Sequence, residues 1–188
     1  NPFNGIDAGY FSNPSFVDLD GDGDLDLVAG GSYGTLLTYR NGTDGSEGAF
    51  TRLTGTDNPF NGIDVGSFST PSFVDIDGDG DLDLVVGEQY GALLTYRNGT
   101  DGAEGSFTQL TGTDNPFDGF DVGLFSQPSF VDIDGDGDLD LVVGGYNGTL
   151  LTYRNGIDGF EGAFTQLIGT DNPFDGTDVG YYSRPSFV

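Results

Sequence analysis

The sequence repeats itself every 57 residues. Asn1-Pro-Phe3 returns as Asn58-Pro-Phe60, Asn115-Pro-Phe117 and Asn172-Pro-Phe174. A fixed period of this length restricts the chain to solenoids, propellers or arrays, in which each unit contacts its neighbours. A single unit of this size buries too little apolar surface to stand alone, so successive units must pack together. The phase divides the chain into a partial repeat at 1–17, which holds the end of one connection and a first strand, and full repeats at 18–74, 75–131 and 132–188. The last 17 residues restart the phase of 1–17. The chain reads as a segment of a longer repetitive polypeptide.

Within a unit the local pattern is β throughout. In the second unit, Ser72 to Ile76 reads as a first strand and Leu82 to Val86 as a second. Gly87-Glu-Gln-Tyr-Gly91 reads as a turn, Ala92 to Arg97 as a third strand, the polar stretch Asp101 to Gly105 as a loop, and Phe107 to Thr111 as a fourth strand. A Gly-, Asn- and Pro-rich connection from Gly112 to Ser126 leads onward. Short β-rich runs bounded by turn residues are strands, and no segment sustains a helical period. The expected fold is all-β, with repeated four-stranded antiparallel blades in a propeller-like array. Pro185 to Val188 reads as a further first strand with no hairpin partner, and an unpaired strand edge invites association.

Each full unit carries one acidic nonapeptide between its first two strands. Asp18-Leu-Asp-Gly-Asp-Gly-Asp-Leu-Asp26 recurs at Asp75–Asp83 and Asp132–Asp140. Five carboxylates in nine residues repel one another unless a hard cation lies among them, and Ca²⁺ accepts ~6–8 oxygens at about 2.3–2.6 Å. Asp18, Asp20 and Asp22 alternate with Leu19 and Gly21, Gly23 lets the chain bend, Asp24 is placed to lend its backbone carbonyl, and Asp26 closes the shell. An EF-hand needs Glu at the twelfth position and flanking helices. Here that position is Ala29 and the flanks are strands. Mg²⁺ demands a stricter octahedron and retains more water, which suits this loop less well.

The stretch Ser15-Phe-Val-Asp-Leu-Asp-Gly-Asp-Gly-Asp-Leu-Asp-Leu-Val28 resembles the FG-GAP and VCBS-type repeats of integrin α-subunits and of many secreted bacterial proteins. In that family the pattern Asp-x-Asp-x-Asp-Gly-x-x-Asp joins the first two strands of a propeller blade and binds Ca²⁺. The resemblance implies one Ca²⁺ per full repeat, three in all. The matching residues are Asp18, Asp20, Asp22, Asp24 and Asp26 in the first loop, and Asp75, Asp77, Asp79, Asp81 and Asp83 in the second. Asp132, Asp134, Asp136, Asp138 and Asp140 form the third. The resemblance covers every full repeat. Its departure is copy number, since three full repeats do not close a ring of the family kind.

Composition excludes several function classes. The net charge is −26, with five Arg and no Lys, so a nucleic-acid partner is not expected, because phosphate binding needs clustered cations. No apolar run is long enough for membrane insertion by a helix. Zero Cys removes disulfide and thiolate chemistry. With His absent too, an enzyme would depend on carboxylates, Tyr and Arg, as in carboxylate-based glycan hydrolysis. No unrepeated constellation of such groups stands out.

Other repeated features have structural readings beside functional ones. Asp57, Asn58, Asn61 and Asp64, recurring as Asp114, Asn115, Asp118 and Asp121, form either a second cation site or Asx-turn loops, and the turns are favoured. Asn41-Gly-Thr43, Asn98-Gly-Thr100 and Asn147-Gly-Thr149 match the glycosylation acceptor pattern, but Asn-Gly is also a strong turn signal. Tyr39-Arg40, Tyr96-Arg97 and Tyr153-Arg154 are either a stacking platform or a packed Tyr beside an ion-paired Arg, and the second is favoured. Differences among copies gather at Tyr10, Ser67, Leu124 and Tyr181, at Asn13, Thr70, Gln127 and Arg184, and in the turns at 31–33, 88–90 and 145–147. In a four-stranded blade these positions share the end opposite the acidic loop, which is either a recognition face or ordinary loop drift.

The leading expectation is a non-enzymatic, extracellular, calcium-binding repeat protein with a structural, adhesive or self-assembling role, including head-to-tail filaments. A surface protein or glycan is a candidate partner. The alternative is a calcium-stabilised lectin propeller. A carboxylate-based glycan-active enzyme ranks third.

Overall fold

A computed structural model describes residues 3–42, 48–99, 105–156 and 162–187. Three four-stranded antiparallel sheets follow one another along the chain. Sheet 1 holds β1 (Asn13–Val17), β2 (Asp26–Gly30), β3 (Leu37–Arg40) and β4 (Thr51–Arg52) in sequence order. Sheet 2 holds β5 (Thr70–Val74), β6 (Asp83–Gly87), β7 (Leu93–Asn98) and β8 (Phe107–Gln109). Sheet 3 holds β9 (Gln127–Val131), β10 (Asp140–Gly144), β11 (Leu151–Arg154) and β12 (Thr165–Leu167). Among the described residues, helix is confined to 3-10 turns at Gly55–Asp57, Gly112–Asp114 and Gly169–Asp171, one in each long connection. No helix among the described residues is long and apolar enough to cross a membrane. The first strand of each sheet packs on the first strand of the next, β1 on β5 and β5 on β9, and the three sheets form no closed ring among the described residues.

The first strand of sheet 2 starts at Thr70, two residues ahead of the expected Ser72, and so includes Pro71. Proline lacks the N–H that a central strand needs, but β5 is the edge of its sheet, where that loss is tolerated. Pro71 pairs with Val86 there. Pro185 to Phe187 adopt no strand, contrary to expectation, and Val188 lies outside the described residues.

The cores lie between sheets rather than within them. β6 shows how one strand serves two interfaces. Leu84 and Val86 point into the core shared with sheet 1, among Val17, Val28 and Leu36. Val85, one residue out of phase, points into the core shared with sheet 3, beside Leu141 and Val143. Strand side chains alternate between faces, so a strand buried on both sides reads as an unbroken apolar run. That is why Leu84-Val-Val86 lacks alternation. The long connections complete each core: Phe60 and Val65 fill the first interface, Phe117 and Val122 the second. Aromatic trios repeat with them, Phe60 with Phe73 and Phe107, and Phe117 with Phe130 and Phe164.

Two contacts fix how closely the sheets approach. Ser126 sits between sheets 2 and 3, donating from its backbone N–H to the Glu88 carbonyl at 3.2 Å and accepting the Glu88 N–H on Oγ at 2.9 Å. Ser69 makes the same exchange with Gly31, and Ser183 with Gly145. The residue before each serine's partner, Gly31, Glu88 or Gly145, is glycine, and a Cβ on Gly87 would collide with the Ser126 carbonyl. Glycine at this register is therefore a condition of sheet-to-sheet packing rather than a turn signal.

Candidate metal centre

Each acidic nonapeptide forms the hairpin between the first and second strands. The register Val74↔Asp83 closes the loop, as Val17↔Asp26 and Val131↔Asp140 do in the other copies. The loop is organised by its own carboxylates. Asp75 accepts the N–H groups of Gly78 at 2.8 Å and Gly80 at 3.0 Å, one on each oxygen. Asp77 accepts from Asp79 at 3.3 Å, and Asp79 from Asp81 at 2.9 Å. The first and third loops repeat every one of these bonds. Gly80, at φ 97°, supplies the backbone conformation that lets the chain curl around its own carboxylates.

The last aspartate of each loop has a different environment. Asp26, Asp83 and Asp140 are each 1% exposed. Asp83 accepts the N–H of Ile76 at 3.1 Å on one oxygen and that of Asn98 at 2.8 Å on the other. Asp26 accepts from Leu19 and Asn41, and Asp140 from Ile133 and Asn155. These carboxylates tie the loop to the end of the third strand. Burial pushes the Asp83 carboxyl up to about 6, with nearby Asp77 adding repulsion and the two N–H groups and Arg97 opposing it. Burial also raises Asp26 and Asp140. A buried carboxylate held above its usual range is a group for which a cation would supply the missing counter-charge.

Carboxylate oxygens converge to within 4.8 Å in all three loops: Asp18, Asp20 and Asp22 in the first, Asp75, Asp77 and Asp83 in the second, and Asp132, Asp134 and Asp136 in the third. The donor set is oxygen alone, which suits a hard cation. Asp26, Asp79 and Asp140 are not in the cluster of their own loop, and neither are Asp24, Asp81 and Asp138. The Oδ2 atoms of Asp24, Asp81 and Asp138 lie where a Cβ on Gly42, Gly99 or Gly156 would stand.

One partner of the loop was expected only in outline. Arg97 Nε lies 3.0 Å from Asp77 Oδ2, and Arg40 and Arg154 face Asp20 and Asp134 at 3.1 and 3.0 Å. The three Nε atoms are buried and make no aligned hydrogen bond, so these are ion pairs without hydrogen-bond geometry. The neighbouring Tyr39, Tyr96 and Tyr153 are buried in or beside the inter-sheet cores, which leaves no exposed stacking platform.

The remaining repeated motifs resolve into structure. Asn58 accepts from Phe60 N–H at 3.0 Å and from Thr38 Oγ1 at 2.9 Å, and Asp64 accepts from Gly66 at 3.0 Å, so this connection is built of Asx turns. Asn115 and Asp121 repeat the pattern. Among the described residues, convergent acidic clusters occur only in the three nonapeptides. Asn41 and Asn98 use Oδ1 to accept the N–H of Gly48 and Gly105, while Thr43, Thr100 and the loop at 101–104 lie outside the described residues. Asn147 sits exposed in the turn after β10. The variable positions gather at the opposite end from the acidic loops. Ser32, Gln89 and Tyr146 donate N–H to the carbonyls of Tyr10, Ser67 and Leu124.

The model of the FG-GAP-like repeat family matches residues 18–86 and again residues 75–143. Each matched span runs from one acidic loop through the next acidic loop and into the second strand of the following sheet. No curated protein matches the chain.

Proposed function

The chain belongs to the FG-GAP-like repeat family, and on that premise we propose that it is a non-enzymatic repeat protein whose blades are made rigid by Ca²⁺. FG-GAP repeats are typical of extracellular proteins, and the proposed setting is outside the cell, where calcium is plentiful enough to fill sites of modest affinity. The proposed role is structural or adhesive. The observation that carries this reading is the recurrence, in all three loops, of three carboxylates whose oxygens lie within 4.8 Å of one another. The proposed ligands are Asp18, Asp20, Asp22 and Asp26 with the carbonyl of Asp24, and their equivalents 57 and 114 residues on. When bound, the ion supplies positive charge that offsets carboxylate repulsion. The chain supplies the braces: Asp83 holds Ile76 and Asn98, and Arg97 holds Asp77.

The test is thermal unfolding of the whole chain with excess Ca²⁺ and with excess chelator. A ligand that binds only the folded state stabilises by about 2.7 kcal/mol when present at 100 times its dissociation constant. A large drop in melting temperature on chelation, restored by Ca²⁺ and less well by Mg²⁺, is expected. Identical melting in both conditions would refute the reading.

One observation favours self-association within this role. Phe3, Phe16 and Phe50 repeat on sheet 1 the aromatic trio that fills the other interfaces. Phe3 and Phe16 are 41% and 45% exposed, whereas Phe60 is buried. Such a face fits another blade, either a preceding repeat of the same polypeptide or a second copy, and contact with a second copy would be head-to-tail. Sedimentation showing a strictly monomeric chain at all concentrations would remove this element.

A further inference from the structure

The end of the sheets opposite the acidic loops holds a cavity of about 460 Å³. Asn13 and Asp18 show the separation, since they flank the two ends of the single strand β1. Four aromatic residues line it: Phe11, Phe68, Phe125 and Tyr182. They form a continuous ladder, with ring centroids 5.3, 5.2 and 5.2 Å apart. All four have positive φ, between 53° and 60°, and they are the only non-glycine residues in that region among the described residues. A bulky side chain in the left-handed region is an outlier that strains the backbone. Glycine would relieve it, and the chain uses glycine at many other positive-φ positions. Here an aromatic ring stands at the strained position in every copy.

The polar side of the cavity is uneven from copy to copy. Asn13, Thr70, Gln127 and Arg184 occupy the same repeat position. Thr70 is committed to the fold, since its hydroxyl donates to the Ser126 carbonyl at 2.7 Å. Asn13 donates through Nδ2 to the carbonyls of Phe11 and Ser69, both at 3.1 Å, but its Oδ1 is buried without a partner. Arg184 is exposed and makes no ion pair among the described residues. Among the described residues no carboxylate lines the cavity, in a chain with 31 acidic residues. The aromatic wall and the Arg184 guanidinium, which has no ion-pair partner among the described residues, select for flat apolar surface joined to negative charge, while the idle Asn13 Oδ1 can only accept a hydrogen bond from a ligand donor.

We propose that this cavity binds a small planar apolar molecule carrying one anionic group, with its ring system against Phe68 and Phe125 and its charge at Arg184. The test is isothermal titration of the calcium-loaded full chain with 2-naphthoate and, separately, with the uncharged 2-naphthalenemethanol. One 2-naphthoate per chain is expected, bound more tightly than the alcohol. Arg184→Gln, at an exposed position outside the cores, should weaken 2-naphthoate about tenfold, roughly one charge-assisted hydrogen bond, and leave the alcohol unchanged. Phe125→Leu should weaken both ligands. Undetectable 2-naphthoate binding, equal affinity for acid and alcohol, or an Arg184→Gln chain that binds 2-naphthoate normally would each overturn the proposal.

Discussion

Asp83 Oδ1 accepts the backbone N–H of Asn98 at 2.8 Å, fastening the first residue of β6 to the last residue of β7. Its other oxygen holds Ile76 N–H inside the acidic loop. One buried carboxylate therefore joins the loop to the sheet, with or without an ion. Asp83→Ala leaves two buried N–H groups without acceptors, and each such loss costs ~1–3 kcal/mol. The expected outcome is a loss of about 2–5 kcal/mol in denaturant unfolding carried out in chelator. Asp79→Asn, at an exposed loop position, should cost well under 1 kcal/mol in chelator and should reveal its effect only in the response to Ca²⁺.

The same carboxylate sets a pH dependence. The folded protein holds the Asp83 proton up to about 6, against an ordinary value of 3.8. Between those values the folded state binds more protons than the unfolded chain, so stability falls as pH rises through the window. Asp26 and Asp140 are shifted the same way and add to the effect. In chelator, the melting temperature should therefore rise as pH is lowered from 7 to 5. With Ca²⁺ present the ion requires the carboxylate form, so the gap between calcium and chelator curves should narrow over the same range. Melting in chelator that falls steadily from pH 7 to pH 5 would contradict this.

The period was enough to foresee stacked four-stranded units, because a small repeat with alternating and continuous apolar runs has few other ways to bury Leu84, Val85 and Val86. The acidic spacing likewise located the hairpin between the first and second strands. Spacing alone could not separate Asp83 from Asp79. Both are aspartates in the loop, and only pairing with Val74 shows that one is buried and bracing while the other is exposed. Nor could it place Phe68. Local rules assign the left-handed region to glycine, so an aromatic residue there becomes visible only when neighbouring units bring Phe11 and Phe125 beside it. Pro71 obscured the start of β5 because its tolerance depends on being at a sheet edge, which is a tertiary fact.

The glycine that ends each second strand and faces an inter-sheet serine should be intolerant of the smallest enlargement. Gly87→Ala places a methyl group against the Ser126 carbonyl and the Pro128 ring. Backbone cannot move aside as a flexible side chain does, and overpacking of this kind costs about 1–3 kcal/mol. Chemical denaturation should show that loss with and without Ca²⁺, since the clash lies at the end of β6 away from the acidic loop. A neutral Gly87→Ala would mean that sheets 2 and 3 are less tightly coupled than the Ser126–Glu88 exchange indicates.

Phe60 and Phe117 come from the long connections, yet both are buried to 2% exposure in inter-sheet cores. A large aromatic lost from a core costs about 3–5 kcal/mol. In an array held by nearest-neighbour interfaces, that cost falls on one interface rather than on the whole chain. Phe117→Ala should therefore loosen sheet 3 from sheet 2 while leaving the sheet 1–2 core around Phe60 and Leu84 intact. Hydrogen exchange measured strand by strand is the direct check. Protection should fall most in β9 to β11 and least in β2 and β3. Uniform loss across all three sheets would mean that the chain unfolds as one cooperative unit, and that the interfaces are coupled more strongly than separate cores imply.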